Sequence, residues 1–146
     1  MIFRYIIFMM ISLAWCPVPG WAQAEEFSVG GEIIFQKTGD LYIGLVNEEE
    51  FGGPKESPFR SVLKVGPEEI KKGRAPFLFS KVPRGTYAIR CFQDVNGNKK
   101  LDMGSFGPKE PWGTYRPKRP AFRGPKFEEI SFAVDRDMTD IQIQVR

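Results

Sequence analysis

From residue 140 to 145 the chain alternates without a break, with Ile141, Ile143 and Val145 on one side and Gln142 and Gln144 between them. Period two places successive side chains on opposite faces of a strand, so this segment reads as a strand with one face in a core and one in water. The phase recurs at 41–46 through Leu41, Ile43 and Leu45, at 86–92 through Tyr87, Ile89 and Cys91, and at 129–134 through Ile130, Phe132 and Val134. Segments 29–35, 60–65 and 76–82 are further candidates, and turn residues separate them all. The expectation is an all-β fold: a single antiparallel β-sandwich of about seven strands, transthyretin-like or immunoglobulin-like. Only 67–72 reads as helical, with Pro67 first, Glu68 and Glu69 at the positive end and Lys71 and Lys72 at the negative end. Residues 48–50, three glutamates, read as a solvated loop. The stretch 94–126 reads as one long irregular loop, longer than structureless loops usually run, and so as functional or as wrapping over the sandwich.

The amino-terminal segment reads as an address. A short positive region ending at Arg4 leads into an apolar run over 5–15, too short for a stable membrane span. Pro17, Pro19 and Gly20 follow, and Ala22-Gln23-Ala24 offers small residues at alternate positions. The expected organisation is a signal peptide over 1–24 and a β-sandwich domain over 25–146, exported to the periplasm or the medium. Cys16 is a competing lipid attachment point, but Trp15 stands where that processing wants a small residue. Cleavage after Ala24 removes Cys16 and leaves Cys91 as the one cysteine, best placed inside the core. The formal charge of +3 points to no polyanionic partner, and nucleic acid is not expected. The chain contains no histidine, which excludes Ser-His-Asp and Cys-His nucleophilic systems and His-ligated zinc or iron.

The strongest local pattern is Asp94-Val95-Asn96-Gly97-Asn98-Lys99-Lys100-Leu101-Asp102. Oxygen side chains at Asp94, Asn96, Asn98 and Asp102 have the spacing with which a loop curls around calcium, and Glu110 is a further acid that can reach back. Glycine, however, stands fourth and not sixth, and the twelfth position is Ser105. The competing reading is a turn in which Asp94, Asn96 and Asn98 accept hydrogen bonds from nearby backbone amides while Gly97 takes a positive φ. Between two strands, Pro83-Arg84-Gly85 makes a reversal, after which Tyr87 turns inward with a hydroxyl that needs a partner. The aromatic and basic residues Trp112, Tyr115, Arg116, Lys118 and Arg119 form a candidate surface for a partner protein, an envelope component or an anionic envelope surface. The bland alternatives are aromatics folded over the end of the sandwich and a solvated basic loop. Paired carboxylates such as Asp102 and Glu110 leave a hydrolase as a remote alternative.

Taken in order, the Pro83–Ala88 turn, the Asp94–Asp102 loop, Phe106-Gly107-Pro108-Lys109-Glu110, and Pro125 with the strand after it resemble a bacterial family of secreted domains of unknown function. The resemblance covers about half of the chain after residue 24. It implies an exported β-sandwich with no known catalytic activity, and it carries no substrate. Lys118-Arg119-Pro120 stands where small polar residues are expected, which makes the chemistry of that loop particular to this chain. The expected function is a non-enzymatic module that binds a partner or small ligand through the 94–126 region. The alternative is a module whose long loop is ordered by calcium.

Overall fold

A computed structural model of the chain describes residues 24–116, 120 and 123–146. The signal-peptide reading with Cys16, and the candidate residues Lys118 and Arg119, lie outside the described residues. Seven strands match the alternating segments: β1 (Glu26–Ile34), β2 (Asp40–Val46), β3 (Phe59–Leu63), β4 (Arg74–Pro83), β5 (Gly85–Asp94), β9 (Phe132–Val134) and β10 (Met138–Gln144). Three short ones, β6 (Met103–Gly104), β7 (Gly107–Pro108) and β8 (Trp112–Thr114), lie in the stretch read as irregular. No helix among the described residues is long and apolar enough to cross a membrane.

The strands form a sandwich-like pair of sheets. One runs β10-β1-β4. The other runs β3-β2-β5-β8, with β9 pairing the first half of β5. The facing sides carry the residues that alternation assigns inward: Val29, Ile33, Phe77, Phe79, Ile141 and Ile143 from one sheet, and Leu41, Ile43, Leu45, Ile89 and Cys91 from the other. Burying such side chains is the main favourable term in folding, about 1.5–3 kcal/mol each. Most pairs are antiparallel as expected, but β1 and β10, the first and last strands, pair in parallel from Val29↔Met138 to Ile34↔Gln144. Alternation reports which face is buried and carries no information on strand direction.

Local chemistry accounts for the other differences. The glutamates at 48–50 open a helix, α1 (Glu48–Gly52), because Asn47 caps it. Asn47 Oδ1 accepts from the Glu50 N–H at 3.0 Å and Glu50 Oε2 accepts from the Asn47 N–H at 3.1 Å, a capping box that buries Glu50. The helix α2 (Pro67–Lys72) has the expected bounds and ends on Gly73 in the left-handed conformation. Residues 129–130, expected to begin a strand, belong instead to a helical turn, α3 (Phe127–Ile130), with Glu129 Oε2 accepting from the Lys126 N–H. The turn moves Ile130 into a second cluster with Val46, Ala88 and Phe127 on the outer side of β2 and β5. At the crossover between sheets, the Tyr87 hydroxyl finds its partner by donating to the Pro83 carbonyl at 3.1 Å. Burial raises the pKa of this hydroxyl.

Cys91 is 3% exposed, and desolvation pushes its thiol up to about 12. A folded-state pKa above the unfolded value contributes stability below about pH 8.5, and that contribution is lost as pH rises toward 12. Urea melts at pH 8 and pH 11 should therefore show a smaller alkaline loss for Cys91→Ala than for the native chain. An equal loss would mean that the thiol ionises without unfolding. At pH 8 the native thiol should resist a disulfide dye until the chain is denatured.

Candidate functional site

The 94–102 segment is a closed turn. Asp94 is 3% exposed and its carboxylate accepts three backbone N–H groups: Gly97 and Asn98 on Oδ1 at 2.8 and 3.2 Å, and Lys99 on Oδ2 at 2.8 Å. Asn96 Oδ1 accepts from the Asn98 N–H at 3.0 Å, and Gly97 takes φ 76°, the positive value that the turn reading requires. Asp102 accepts the side-chain amides of Asn96 at 2.6 Å and Asn98 at 3.0 Å. Glu110 does reach back: it is buried, and it takes the Val95 N–H at 2.9 Å and the Asp102 N–H at 3.3 Å, which latches both ends of the loop. The all-oxygen donor set suits a hard cation, while the geometry turns these oxygens toward the loop's own donors. Among the described residues, no group of three or more His, Cys, Asp or Glu side chains is placed to hold a metal.

The latched turn delivers the chain that follows to the edge of the five-stranded sheet. There β8 pairs with β5 through Arg90↔Thr114, Cys91↔Gly113 and Phe92↔Trp112. Combined with the β2 and β3 registers, this lines up Val62, Tyr42, Phe92 and Trp112 in one row across the outer face. The Tyr42 and Phe92 rings stack at 4.9 Å between centroids, tilted by 9°. This row floors an open groove of about 1490 Å³, with walls from 101–108 on one side and from α1 and 123–125 on the other. At its rim the β6–β7 hairpin presents Met103 and a fully exposed Phe106. Single exposed apolar residues are ordinary, but an aromatic floor with apolar walls is what ligand pockets are made of.

The basic and aromatic candidates separate. Trp112 lies half-buried in the groove floor. Tyr115 is not part of the surface; its ring meets Phe132 edge-to-face at 5.0 Å and packs on the main core, as in the bland alternative. Arg116 is exposed, and its carbonyl accepts from the Thr114 hydroxyl at 2.9 Å. Arg123, farther along the chain, is held by Glu129 in a two-pronged pair at 2.8 and 2.7 Å, so it fastens the groove wall. Neither Asp102 nor Glu110 lines the groove.

Sequence reasoning missed Tyr42, Phe92 and Arg90. The signal was present, since Tyr42 and Phe92 are aromatic residues off the inward phase of otherwise well-alternating strands, where polar residues belong on a solvated face. Arg90 shares that face, with its guanidinium 4.9 Å from the Phe51 ring centroid and a hydrogen bond to the Phe51 carbonyl at 3.4 Å. The groove walls desolvate it and lower its pKa.

Residues 32–142 match the model of a family described as an uncharacterized protein conserved in bacteria, DUF2141. No curated protein and no solved structure matches the chain. The match takes in both sheets, the latched turn and the groove floor, and the chain belongs to the DUF2141 family of bacteria.

Proposed function

We propose that this chain is an exported, non-enzymatic β-sandwich module that binds a small ligand or partner in the groove between the 94–126 segment and the outer face of the five-stranded sheet. The observation that carries the reading is the aromatic row of Tyr42, Phe92 and Trp112 on a sheet face that the described residues of the 94–126 stretch wall but do not cover. The missing histidine and the placement of Asp102 and Glu110 outside the groove favour binding over hydrolysis. After residue 24, Trp112 is the only tryptophan, so its fluorescence reports the groove directly. The neutral dye N-phenyl-1-naphthylamine, titrated into residues 25–146, should quench Trp112 and gain emission, and Phe92→Ala should weaken it about tenfold, as expected for a lost stacking face. Dye binding that ignores Phe92 counts against the reading.

Calcium stabilisation through Asp94, Asn96, Asn98 and Asp102 is the second reading, favoured by the return of Glu110 across the loop. It requires Asp102 to exchange the amides of Asn96 and Asn98 for the ion.

A further inference from the structure

Beside the aromatic row runs a second row on the same face: Arg60 on β3, Gly44 on β2, Arg90 on β5 and Thr114 on β8. Glycine inside a strand weakens it, and is usually required by a close backbone approach or an unusual φ. Neither applies at Gly44. A Cβ there would meet nothing nearer than the Phe59 carbonyl oxygen at 3.8 Å and Val46 Cγ1 at 3.9 Å, which is ordinary contact. The fold does not ask for glycine at this position, and the result is a pit in the groove floor with an arginine on either side.

The two arginines differ. Arg60 is paired with Glu56, and across the groove Arg123 is paired with Glu129. Glu50, buried near the same end, accepts the Asn47 N–H on its Oε2. Arg90 makes no ion pair among the described residues; the Phe51 ring and carbonyl hold it in place. Its guanidinium, exposed to the groove beside the Phe51 ring, keeps donors to spare and matches a carboxylate, sulfonate or phosphate, which it binds through two parallel hydrogen bonds.

We propose that the groove takes a small amphipathic organic anion, with its acidic head in the pit over Gly44 against Arg90 and its apolar body along the Tyr42, Phe92 and Trp112 row. This rests on the binding-module reading and adds the chemical class of the ligand. The anionic head answers the charge of Arg90, which has no ion pair among the described residues, and the flat or chain-like body lies along the aromatic row.

Two dyes with one ring system test it: 1-anilinonaphthalene-8-sulfonate carries an anionic head, and N-phenyl-1-naphthylamine carries none. With Trp112 quenching of residues 25–146 as the readout, the sulfonate should bind about tenfold more tightly than the neutral dye. Arg90→Gln should bring the two affinities to within about twofold, chiefly by weakening the sulfonate. Gly44→Val fills the pit with a good strand former, and should remove the preference while melting no lower than the native chain. Equal affinities in the native chain, or a preference that survives Arg90→Gln, overturn the proposal but leave the binding module standing. Failure of both dyes to bind overturns the module reading as well. Binding to vesicles of anionic lipid without any preference between the dyes overturns the small ligand in favour of a membrane surface.

Discussion

Asp94→Ala should lower stability by about 3 kcal/mol and release the 94–102 turn. Three backbone N–H groups, on Gly97, Asn98 and Lys99, converge on this one buried carboxylate, and each bond to an ionised acceptor contributes on the order of 1 kcal/mol net even where water can substitute. Asp94→Asn keeps one oxygen and should lose roughly half as much, because its NH₂ faces a backbone donor. Thermal and urea melts of both variants provide the check. Run in millimolar calcium and again in chelator, the same melts decide between the readings of this loop. A self-satisfied turn gives the same midpoints in both. A native midpoint that rises with calcium, and a rise that Asp94→Ala abolishes, would establish the calcium-ordered module instead.

Gly31→Ala should be more damaging still, at more than about 4 kcal/mol, which is much of the 5–15 kcal/mol that holds a typical domain together. The parallel pairing of β1 with β10 brings the Ile141 carbonyl oxygen to 1.8 Å from where a Cβ on Gly31 would sit. Backbone cannot yield by that much without separating the strands, and β10 with the residue just after it supplies Ile141, Ile143 and Val145 to the main core. The expected result is little soluble chain, or a melt lowered by 15 °C or more, at roughly 4–8 °C per kcal/mol. Gly44→Val is the internal contrast: a glycine of the opposite sheet, also in mid-strand, whose replacement should be tolerated. If Gly31→Ala melts like the native chain, the first and last strands do not pair as described.

Much of this fold was legible because alternation is a strong signal wherever one face is buried and the other is wet. Leu41, Ile43 and Leu45, or Ile141, Ile143 and Val145, admit little other reading, and Pro67 with its flanking charges marks α2 well. What alternation cannot carry is direction, and so the parallel β1–β10 pair was not legible. Charge runs mislead when a cap redefines them, as Asn47 does for Glu48–Glu50, and Ile130 keeps its burial while changing its backbone because Glu129 caps α3. At the candidate site, the Asp94 turn and Trp112 were readable from local spacing. The groove was not, since it requires registers across β3, β2, β5 and β8 that bring Tyr42, Phe92 and Trp112 into one row over more than 60 residues of sequence. Tyr115, three residues from Trp112, looked equivalent in sequence and went to the core, because the end of β8 carries it onto Phe132.

The anionic dye locates the site most directly when amide chemical shifts are followed in residues 25–146 as it is added. The expected result is a set of shifts centred on Tyr42, Gly44, Val62, Arg90, Phe92 and Trp112, with β1, β4 and β10 unmoved. Shifts concentrated on the three-stranded sheet, or on the 94–102 turn with the aromatic row silent, would contradict the groove as the binding site.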